Sequence, residues 1–380
     1  MSDPSDRHVP RKGRGATSNL QGRFERDERA RVDDGWQPLI GQLDPNDPDN
    51  APPRIETSVS IERARSILSH NQSPDIPFSV SLNPYRGCEH GCVYCFARPT
   101  HAYLELSPGL DFETKLFAKT NAAEVLRETL AKPGYRCEAI ALGVNTDAYQ
   151  PIERELHITR DVLQVLHDCD HPVGLITKST LIERDIDLLA PMAAKNLVVA
   201  AVTITTLDAD LARKLEPRAA TPSRRLRTIR TLAEAGIPVG VSVAPMVPFI
   251  TDDHMEQILE GAREAGATYA SYIVLRLPNE LNAVFQDWLM AHFPDRAQRV
   301  MNRIRDLHGG HDYKADFATR MRGTGIWADL LRQRFYKAAD RLGFSYHRYN
   351  ERVLDTSQFK PPTRALKPRK PVDERQGSLF

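Results

Sequence analysis

Six apolar runs of strand length alternate with amphipathic helical stretches through the middle of this 380-residue chain. The runs span residues 78–82, 139–144, 173–177, 197–205, 239–246 and 269–277. Each run is nearly continuous in apolar residues, which is typical of parallel strands covered on both faces. The helical stretches between them span residues 122–131, 159–168, 182–193, 223–235 and 253–265. The chain is therefore predicted to be an α/β protein built on a parallel sheet.

Two architectures accommodate six strand–helix units of this kind. One is a partial TIM barrel, (β/α)6, and the other is an ordinary doubly wound sheet. In both architectures the carboxyl ends of the parallel strands lie along one edge, where ligands bind. Residues that directly follow the strands are accordingly the first candidates for a functional site.

The segment before this core differs from it in composition. Residues 1–55 are polar and rich in Gly, Pro, Asp and Arg, with only scattered apolar residues. Such a segment buries too little apolar surface to offset the entropy of ordering, so we expect disorder. Residues 56–290 form the predicted core domain.

Two further segments follow the core. Residues 291–358 carry helical patterns at 297–307 and 326–342 and a short strand pattern at 344–349. This helical extension is predicted to pack on one side of the barrel. Residues 359–380 are predicted to be a flexible tail, rich in Pro and Lys.

Three of the five cysteines lie within eight residues, as Cys88, Cys92 and Cys95. Thiolates at this spacing can hold three irons of one [4Fe–4S] cube, which leaves the fourth iron free to bind a small molecule. Zinc sites usually add a second cysteine knuckle, which is missing here, and disulfides need an oxidising compartment. The spacing favours a cluster, with accidental clustering of structural cysteines as the alternative.

The residues around the cysteines extend this pattern. The runs Asn83-Pro84-Tyr85-Arg86-Gly87-Cys88 and Cys92-Val93-Tyr94-Cys95-Phe96 resemble the radical S-adenosylmethionine (SAM) superfamily, and within it spore-photoproduct-lyase-like proteins. The resemblance implies a partial (β/α)6 barrel, with a [4Fe–4S] cluster and SAM as cofactors. It further implies an electron donor such as flavodoxin or ferredoxin, and a position for Tyr94 against the SAM adenine.

The resemblance also implies SAM contacts at the ends of the second and third strands. Asn145, Thr146 and Asp147 offer acceptors for the SAM amino group, although their position before Pro151 also suits a turn. Lys178 is expected to bind the SAM carboxylate, because a lysine in a barrel mouth needs an anionic partner. A position on the protein surface is the alternative for Lys178.

Later strands carry two more implied contacts, and two positions differ from the lyase-like pattern. Thr203 is placed at the ribose, and Ala244 lies in a segment whose backbone passes the adenine. Val144 stands where the lyase has a hydrogen-donating cysteine, and Phe96 stands where it has a tyrosine. Both differences remove hydrogen donors, so the chain is not expected to be a spore photoproduct lyase. Neither difference is expected to affect the cleavage of SAM.

The overall charge excludes bulk attraction to nucleic acid, because 51 basic and 50 acidic side chains leave a net charge of +1. Local basic excesses occur in residues 1–31 and 360–380, and such segments can hold a protein near phosphates. No apolar run approaches the roughly 18 residues of a membrane span, and no apolar signal segment is found. We expect a cytoplasmic protein that does not bind membranes.

The tail carries one short motif. Gln376, Leu379 and Phe380 lie in the run QGSLF, which resembles the peptide by which bacterial DNA polymerases and repair proteins bind the sliding clamp. An apolar pair on a polar tail suits a pocket, and a frayed terminus without a partner is the alternative. The sliding clamp is thus a predicted partner.

These features predict a radical SAM enzyme that abstracts hydrogen from its substrate, a nucleic-acid base in DNA repair or modification. The basic tails, the clamp-like peptide and the family resemblance favour DNA as the partner. One alternative is radical SAM modification of a protein, a peptide or a small metabolite. Another is a non-catalytic iron–sulfur protein that assists DNA repair.

Overall fold

The computed structural model describes residues 10–25, 55–345 and 354–363. Within these ranges the chain forms ten strands: β1 Ser58–Glu62, β2 Leu68–His70, β3 Val80–Leu82, β4 Tyr85–Arg86, β5 Lys115–Lys119, β6 Ile140–Leu142, β7 Val173–Thr177, β8 Val198–Thr203, β9 Val239–Met246 and β10 Tyr269–Val274. The same ranges contain eleven α-helices: α1 Asp111–Thr114, α2 Ala122–Leu130, α3 Glu153–Leu156, α4 Ile158–Asp168, α5 Ile186–Ala194, α6 Ala209–Leu215, α7 Pro222–Glu234, α8 Met255–Glu264, α9 Leu281–His292, α10 Pro294–Leu307 and α11 Gly325–Leu342.

Six parallel strands form the main sheet in the order β3-β6-β7-β8-β9-β10. The short strand β2 adds to its edge, antiparallel to β3. Each of the six strands lies beside the one that precedes it in the strand–helix alternation. A doubly wound sheet reverses its order at a switch point, and the described strands show no such reversal. The partial (β/α)6 barrel is therefore confirmed.

The helices predicted between the strands are also confirmed, and their apolar faces pack on the sheet in one large core. In α4, Val162, Leu163 and Leu166 are completely buried, which places one face of the helix against the sheet. The stretch predicted as one helix at 182–193 begins as a 3-10 helix, Thr180–Asp185, and continues as α5.

A small three-stranded sheet, which the sequence did not predict, lies beside the first loop of the barrel. Its order is β1-β5-β4, with β1 parallel and β4 antiparallel to β5. The residues of β1 are mostly exposed, and β4 has two residues, so neither strand has an apolar run that could signal it. This sheet matters because β4 leads directly into the cysteine motif.

An aromatic ring fills the inside of the barrel near the amino ends of the strands. Tyr269 lies over Gly240, where an added Cβ would come within 2.3 Å of the ring. The Tyr269 hydroxyl donates to the carbonyl of Ala200. Leu354 packs with Val199 in the same cluster of side chains. Glycine is required at position 240 because the ring occupies the space of a side chain.

The prediction of disorder for residues 1–55 is wrong for residues 10–25, which we name the N-terminal strap. The backbone N–H groups of Gly15 and Ala16 donate to the Glu113 carboxylate at 2.9 and 2.8 Å. Amino-acid composition could not predict that these residues are ordered. The strap is held by main-chain N–H groups that bind a buried carboxylate. The remaining residues before 55 lie outside the described residues.

In the helical extension, α11 lies against α8. Ion pairs of 2.7 Å between Arg334 and Glu256 and of 2.6 Å between Arg341 and Glu260 join the two helices. In the predicted strand at 344–349, Ser345 forms a β-bridge, and residues 346–349 lie outside the described residues. Among the described helices, none combines the length and apolar character that a membrane crossing needs.

Phe359 and Lys360, the first residues of the predicted flexible tail, contact the rest of the protein. Phe359 packs edge-on against His171, with ring centroids 5.2 Å apart. The Lys360 backbone N–H donates to the carbonyl of Cys169 at 2.8 Å. Apolar and main-chain contacts thus hold Phe359 and Lys360, and residues 364–380 lie outside the described residues.

Candidate active site

The cysteine loop, residues 87–96, follows β4 directly. Cys88 and Cys92 are each 7% exposed, Cys95 is partly exposed, and all three are free thiols. Hydrogen bonds from Gly91 N to the Cys88 carbonyl and from Cys95 N to the Cys92 carbonyl, 3.3 and 3.2 Å long, fold the loop into tight turns. The loop therefore brings the three predicted cluster ligands together.

The three thiols lie close enough to affect one another's charge. Burial raises the pKa of Cys92 to about 12 against the opposing effect of Lys178, and the Cys95 thiol adds to the rise. Burial also raises the pKa of Cys88, with contributions from Asp147 and from Cys92. Cys88 and Cys92 must therefore lose their protons when they bind iron.

The donor set has the chemistry of an iron–sulfur cluster site, because it consists of three free thiols. Iron–sulfur clusters are held by cysteine thiolates, and each thiolate of a cube binds a different iron. Three neighbouring thiols on one loop meet that requirement.

Main-chain groups of the cysteine loop are bound by a buried arginine. Arg98 is completely buried and donates to the carbonyls of Cys92 and Gly91 at 2.8 and 3.0 Å. The neighbouring helix α6 also contacts the loop, since Val93 N donates to the Leu215 carbonyl at 3.0 Å. The loop is thus held on two sides before any cofactor binds.

Asp147, at the end of the second barrel strand, ties the third strand to the cysteine loop. Its Oδ1 accepts from the Thr177 hydroxyl at 2.7 Å, and its Oδ2 accepts from the backbone N–H of Lys178 at 2.8 Å. His90 Nδ1 lies 3.2 Å from Oδ2. Burial raises the pKa of Asp147, but His90 and these donors outweigh it and lower the pKa below its ordinary value. Both oxygens thus already bind protein groups, so this geometry supports a positioning role.

A second buried carboxylate, Glu216, lies beside Tyr94. It accepts hydrogen bonds from the Tyr94 hydroxyl, from Thr205 Oγ1 at 2.7 Å and from Arg225. Burial alone would raise the pKa of Glu216, but the charges of Arg225 and Lys178 lower it to about 2. The network fixes the Tyr94 ring, which the family resemblance places against the adenine.

Lys178 projects into the same region. Its Nζ lies 5.8 Å from the centroid of the Tyr94 ring. Among the described residues, no carboxylate lies within salt-bridge distance of this ammonium group, which leaves its charge available. Burial lowers the pKa of Lys178, but Cys92 and Glu216 outweigh this and raise it, so the side chain is positively charged.

The other predicted SAM contacts lie around this centre. Thr203 is 3% exposed at the end of β8, and its carbonyl accepts from Arg225 at 3.0 Å. The Ala244 carbonyl accepts from the Thr205 hydroxyl at 3.1 Å. Thr146 is buried and donates to the Tyr85 carbonyl at 3.3 Å, whereas Asn145 is exposed. Their contacts to SAM stay predictions.

Sequence reasoning missed most of the supporting groups. Arg225, Arg98 and Glu216 are supporting groups of this kind. Cys137 precedes β6 and therefore lies at the amino end of the barrel strands, away from the cysteine loop. The predicted clamp-binding residues Gln376, Leu379 and Phe380 lie outside the described residues.

Comparisons with known proteins agree with this fold. The profile of the radical SAM superfamily matches residues 82–262. An uncharacterized protein of Mycobacterium tuberculosis is 39% identical over 235 residues, which cover 61% of this chain and 68% of that protein. An uncharacterized protein of Methanocaldococcus jannaschii is 24% identical over 223 residues, which cover 58% of this chain and 79% of that protein. The chain belongs to the radical SAM superfamily.

A solved structure with a similar outline is spore photoproduct lyase complexed with dinucleoside spore photoproduct. It has a TM-score of 0.49 and 14% sequence identity, and the match covers 75% of this chain and 80% of that chain. The superfamily uses a [4Fe–4S] cluster and SAM, and its members need an electron donor.

Proposed function

We propose that this protein cleaves SAM reductively and abstracts hydrogen from a base in nucleic acid. Cys88, Cys92 and Cys95 hold the [4Fe–4S] cluster in this proposal. The observation that carries it is the gathering of three free thiols on one loop at the carboxyl edge of the barrel, beside the unpaired ammonium of Lys178. When bound, the cluster supplies the electron that cleaves SAM.

The side chains around the loop bind and orient the cofactors. The Lys178 ammonium is placed to attract the SAM carboxylate, because a partly buried cation gains most from an anionic partner. The hydroxyl of Tyr94 is bound to Glu216, so the ring holds one orientation. Cys88 and Cys92 are almost completely buried, which keeps water away from the iron ligands.

An unpaired arginine at the barrel mouth supports an anionic substrate. Arg276 follows β10, and its guanidinium lies 4.6 Å from the centroid of the Phe96 ring. In the described part of the chain it makes no hydrogen bond or ion pair. Burial is the main reason why its pKa is lowered. Nucleic-acid phosphates would give this partly buried charge the partners that it lacks.

The C-terminal run QGSLF supports a second interaction, with a sliding clamp. Leu379 and Phe380 would fill an apolar pocket while Gln376 hydrogen-bonds at its edge. Titration of the tail peptide against purified clamp tests this, with a peptide carrying alanine at the three positions as control. Equal binding of both peptides, or no binding at high micromolar concentration, would refute the interaction.

The central test is release of 5′-deoxyadenosine by anaerobically reconstituted protein given dithionite, SAM and either intact or UV-irradiated DNA. Release that rises with either DNA supports a nucleic-acid substrate. Release that neither DNA changes would indicate that the substrate is a protein, a peptide or a metabolite. No release from an intact reduced cluster would indicate a non-catalytic accessory protein.

Two cysteine variants give matched controls for this assay. Cys95→Ser is expected to lose iron and all release of 5′-deoxyadenosine, because one cluster ligand is missing. Cys137→Ser removes a thiol that lies away from the loop, so iron content and release should equal those of the wild type. If Cys95→Ser retained a full complement of iron, the proposed ligand set would be wrong.

A further inference from the structure

A basic cavity of about 510 Å³ lies between the first residues of the N-terminal strap and helix α6. Its lining includes Arg11, Lys12 and Arg14 from the strap and Arg213 and Lys214 from α6. Asp210 is the acidic residue of the lining. Five positive side chains against one negative side chain make the cavity strongly attractive to anions.

Two of these five positive charges are already used by the protein. Arg14 donates to the backbone carbonyls of Glu113 and Ile55, and Arg213 pairs with Asp210. For Arg11, Lys12 and Lys214, no carboxylate among the described residues lies within salt-bridge distance. The Arg11 Nε is buried without a hydrogen-bond partner. Three cations are thus available to a ligand.

The cavity adjoins the cysteine loop. The strap passes directly over the loop at Gly15, where an added Cβ would lie 1.8 Å from the Gly91 carbonyl oxygen. On the other side, Pro217 lines the cavity and lies next to Gly91. A ligand in the cavity is therefore close to the proposed reaction centre.

Two exposed aromatic rings lie at the far end of the strap, Phe24 on the strap itself and Tyr103 on the segment beside it. Phe24 and Tyr103 are 47% and 68% exposed, and their ring centroids lie 5.1 Å apart. The Arg23 guanidinium lies 5.3 Å from the Phe24 centroid and 5.9 Å from the Tyr103 centroid. Arg23 is paired with Glu280 at 2.6 Å, so the exposed rings themselves are the groups on which unpaired bases would stack.

We propose that the strap binds single-stranded nucleic acid, with phosphates in the basic cavity and bases on Phe24 and Tyr103. The polymer then passes the cysteine loop, which lies under the middle of the strap. Phosphate contacts alone would suit a duplex equally well, but stacking needs bases that are free of a partner strand. This inference rests on the proposed nucleic-acid substrate and adds where the polymer is held.

Fluorescence anisotropy of a labelled single-stranded oligonucleotide, measured over a series of salt concentrations, tests the proposal. The variant Arg11→Ala/Lys12→Ala/Lys214→Ala should lower the slope of log K against log salt by about 2, because each lost phosphate contact removes roughly 0.7. Tyr103→Ala should weaken binding by about fivefold or more with an unchanged slope, because stacking releases no counterions.

A charge-matched control uses Lys132→Ala/Arg136→Ala/Lys337→Ala, three exposed residues away from the strap. This variant should keep the slope of the wild type, and unfolding midpoints of all variants check that they fold. Equal losses of slope in both triple variants would overturn the proposal, as would equally tight binding of a duplex.

Inorganic phosphate and a mononucleotide serve as competitors. If either displaces the oligonucleotide as well as an unlabelled oligonucleotide does, the cavity takes a single phosphate group and the polymer proposal fails. The binding assay needs neither SAM nor a reduced cluster. Its failure therefore leaves the release of 5′-deoxyadenosine, and with it the radical SAM function, untouched.

Discussion

Arg98 and Glu113 form an ion pair in which both side chains are completely buried. The arginine also donates to carbonyls of the cysteine loop, and the glutamate accepts the backbone N–H groups of Gly15 and Ala16 in the strap. One buried pair therefore joins the loop that carries the proposed cluster ligands to the strap that covers it. We expect the folding of both segments to depend on this pair.

Glu113→Gln should destabilise the protein by about 3–5 kcal/mol, because it leaves the Arg98 charge buried without its partner. The denaturant midpoint and the iron and sulfide content after reconstitution should fall together. The exposed pair of Arg341 and Glu260 supplies the control, and Glu260→Gln should cost less than about 1 kcal/mol. Wild-type stability and iron content in Glu113→Gln would show that the pair does not support the loop.

Lys178→Ala should weaken SAM binding by roughly 10- to 150-fold, because a hydrogen bond to a charged group contributes about 1.5–3 kcal/mol. Equilibrium binding of SAM to the reconstituted protein measures this, with iron content as a check of the cluster. Lys195→Ala is the control, because Lys195 pairs with Asp170 away from the cysteine loop. Unchanged affinity in Lys178→Ala would remove Lys178 from the SAM site.

Apolar patterning predicted the barrel because its strands are buried on both faces. The runs at Val173–Thr177 and Val239–Met246 are found as strands with the predicted bounds. The strap could not be predicted in this way, since Gly15 and Ala16 are held through main-chain donors to a carboxylate about a hundred residues away. Apolar periodicity in a sequence indicates which side chains are buried. Long-range polar contacts produce no such periodicity.

The residues of the candidate site show the same difference between what a sequence pattern can predict and what only the fold reveals. The cysteine spacing and Lys178 were predicted, because each follows a strand or a motif with a known chemical use. Arg225 was missed because a buried arginine in a helix has the same sequence signature as an exposed one. Only the fold shows that it pairs with Glu216.

Stability should fall as the pH is lowered from 6.5 to 4, because of His171. Burial lowers the pKa of this histidine to about 4 from its ordinary 6.5. The imidazole ring of His171 contacts the rings of Tyr135 and Phe359, and its Nε2 lies 2.7 Å from the Tyr135 hydroxyl. The unfolded chain binds a proton in this range that the native state excludes, so acid favours unfolding.

The free energy of unfolding should fall by about 3 kcal/mol by about pH 4, since one pKa unit corresponds to about 1.4 kcal/mol. Urea unfolding at pH 7 and pH 5 measures about 2 kcal/mol of this loss, because pH 5 lies 1.5 units below the ordinary pKa of histidine. His171→Gln should reduce the difference between the two pH values, whereas His167→Gln, at a partly exposed site, should not. An identical pH dependence in His171→Gln and the wild type would contradict the assignment.

Gly15→Ala should lift the strap from the cysteine loop. The new Cβ would meet the Gly91 carbonyl oxygen at 1.8 Å, and this backbone atom cannot move aside without distorting the loop. The hydrogen bonds from Gly15 and Ala16 to Glu113 would be lost, at about 1 kcal/mol each. Trypsin should then cut the variant faster after Arg11, Lys12 and Arg14.

Gly134→Ala is the matched control, because nothing lies within 4 Å of a Cβ at that position. Its cleavage rate and unfolding midpoint should equal those of the wild type. Gly15→Ala should also lose iron faster in air, since the strap lies directly over the loop that carries the cysteines. If its cleavage and iron loss match those of Gly134→Ala, the strap does not shield the loop, and contact at Gly15 has no protective effect.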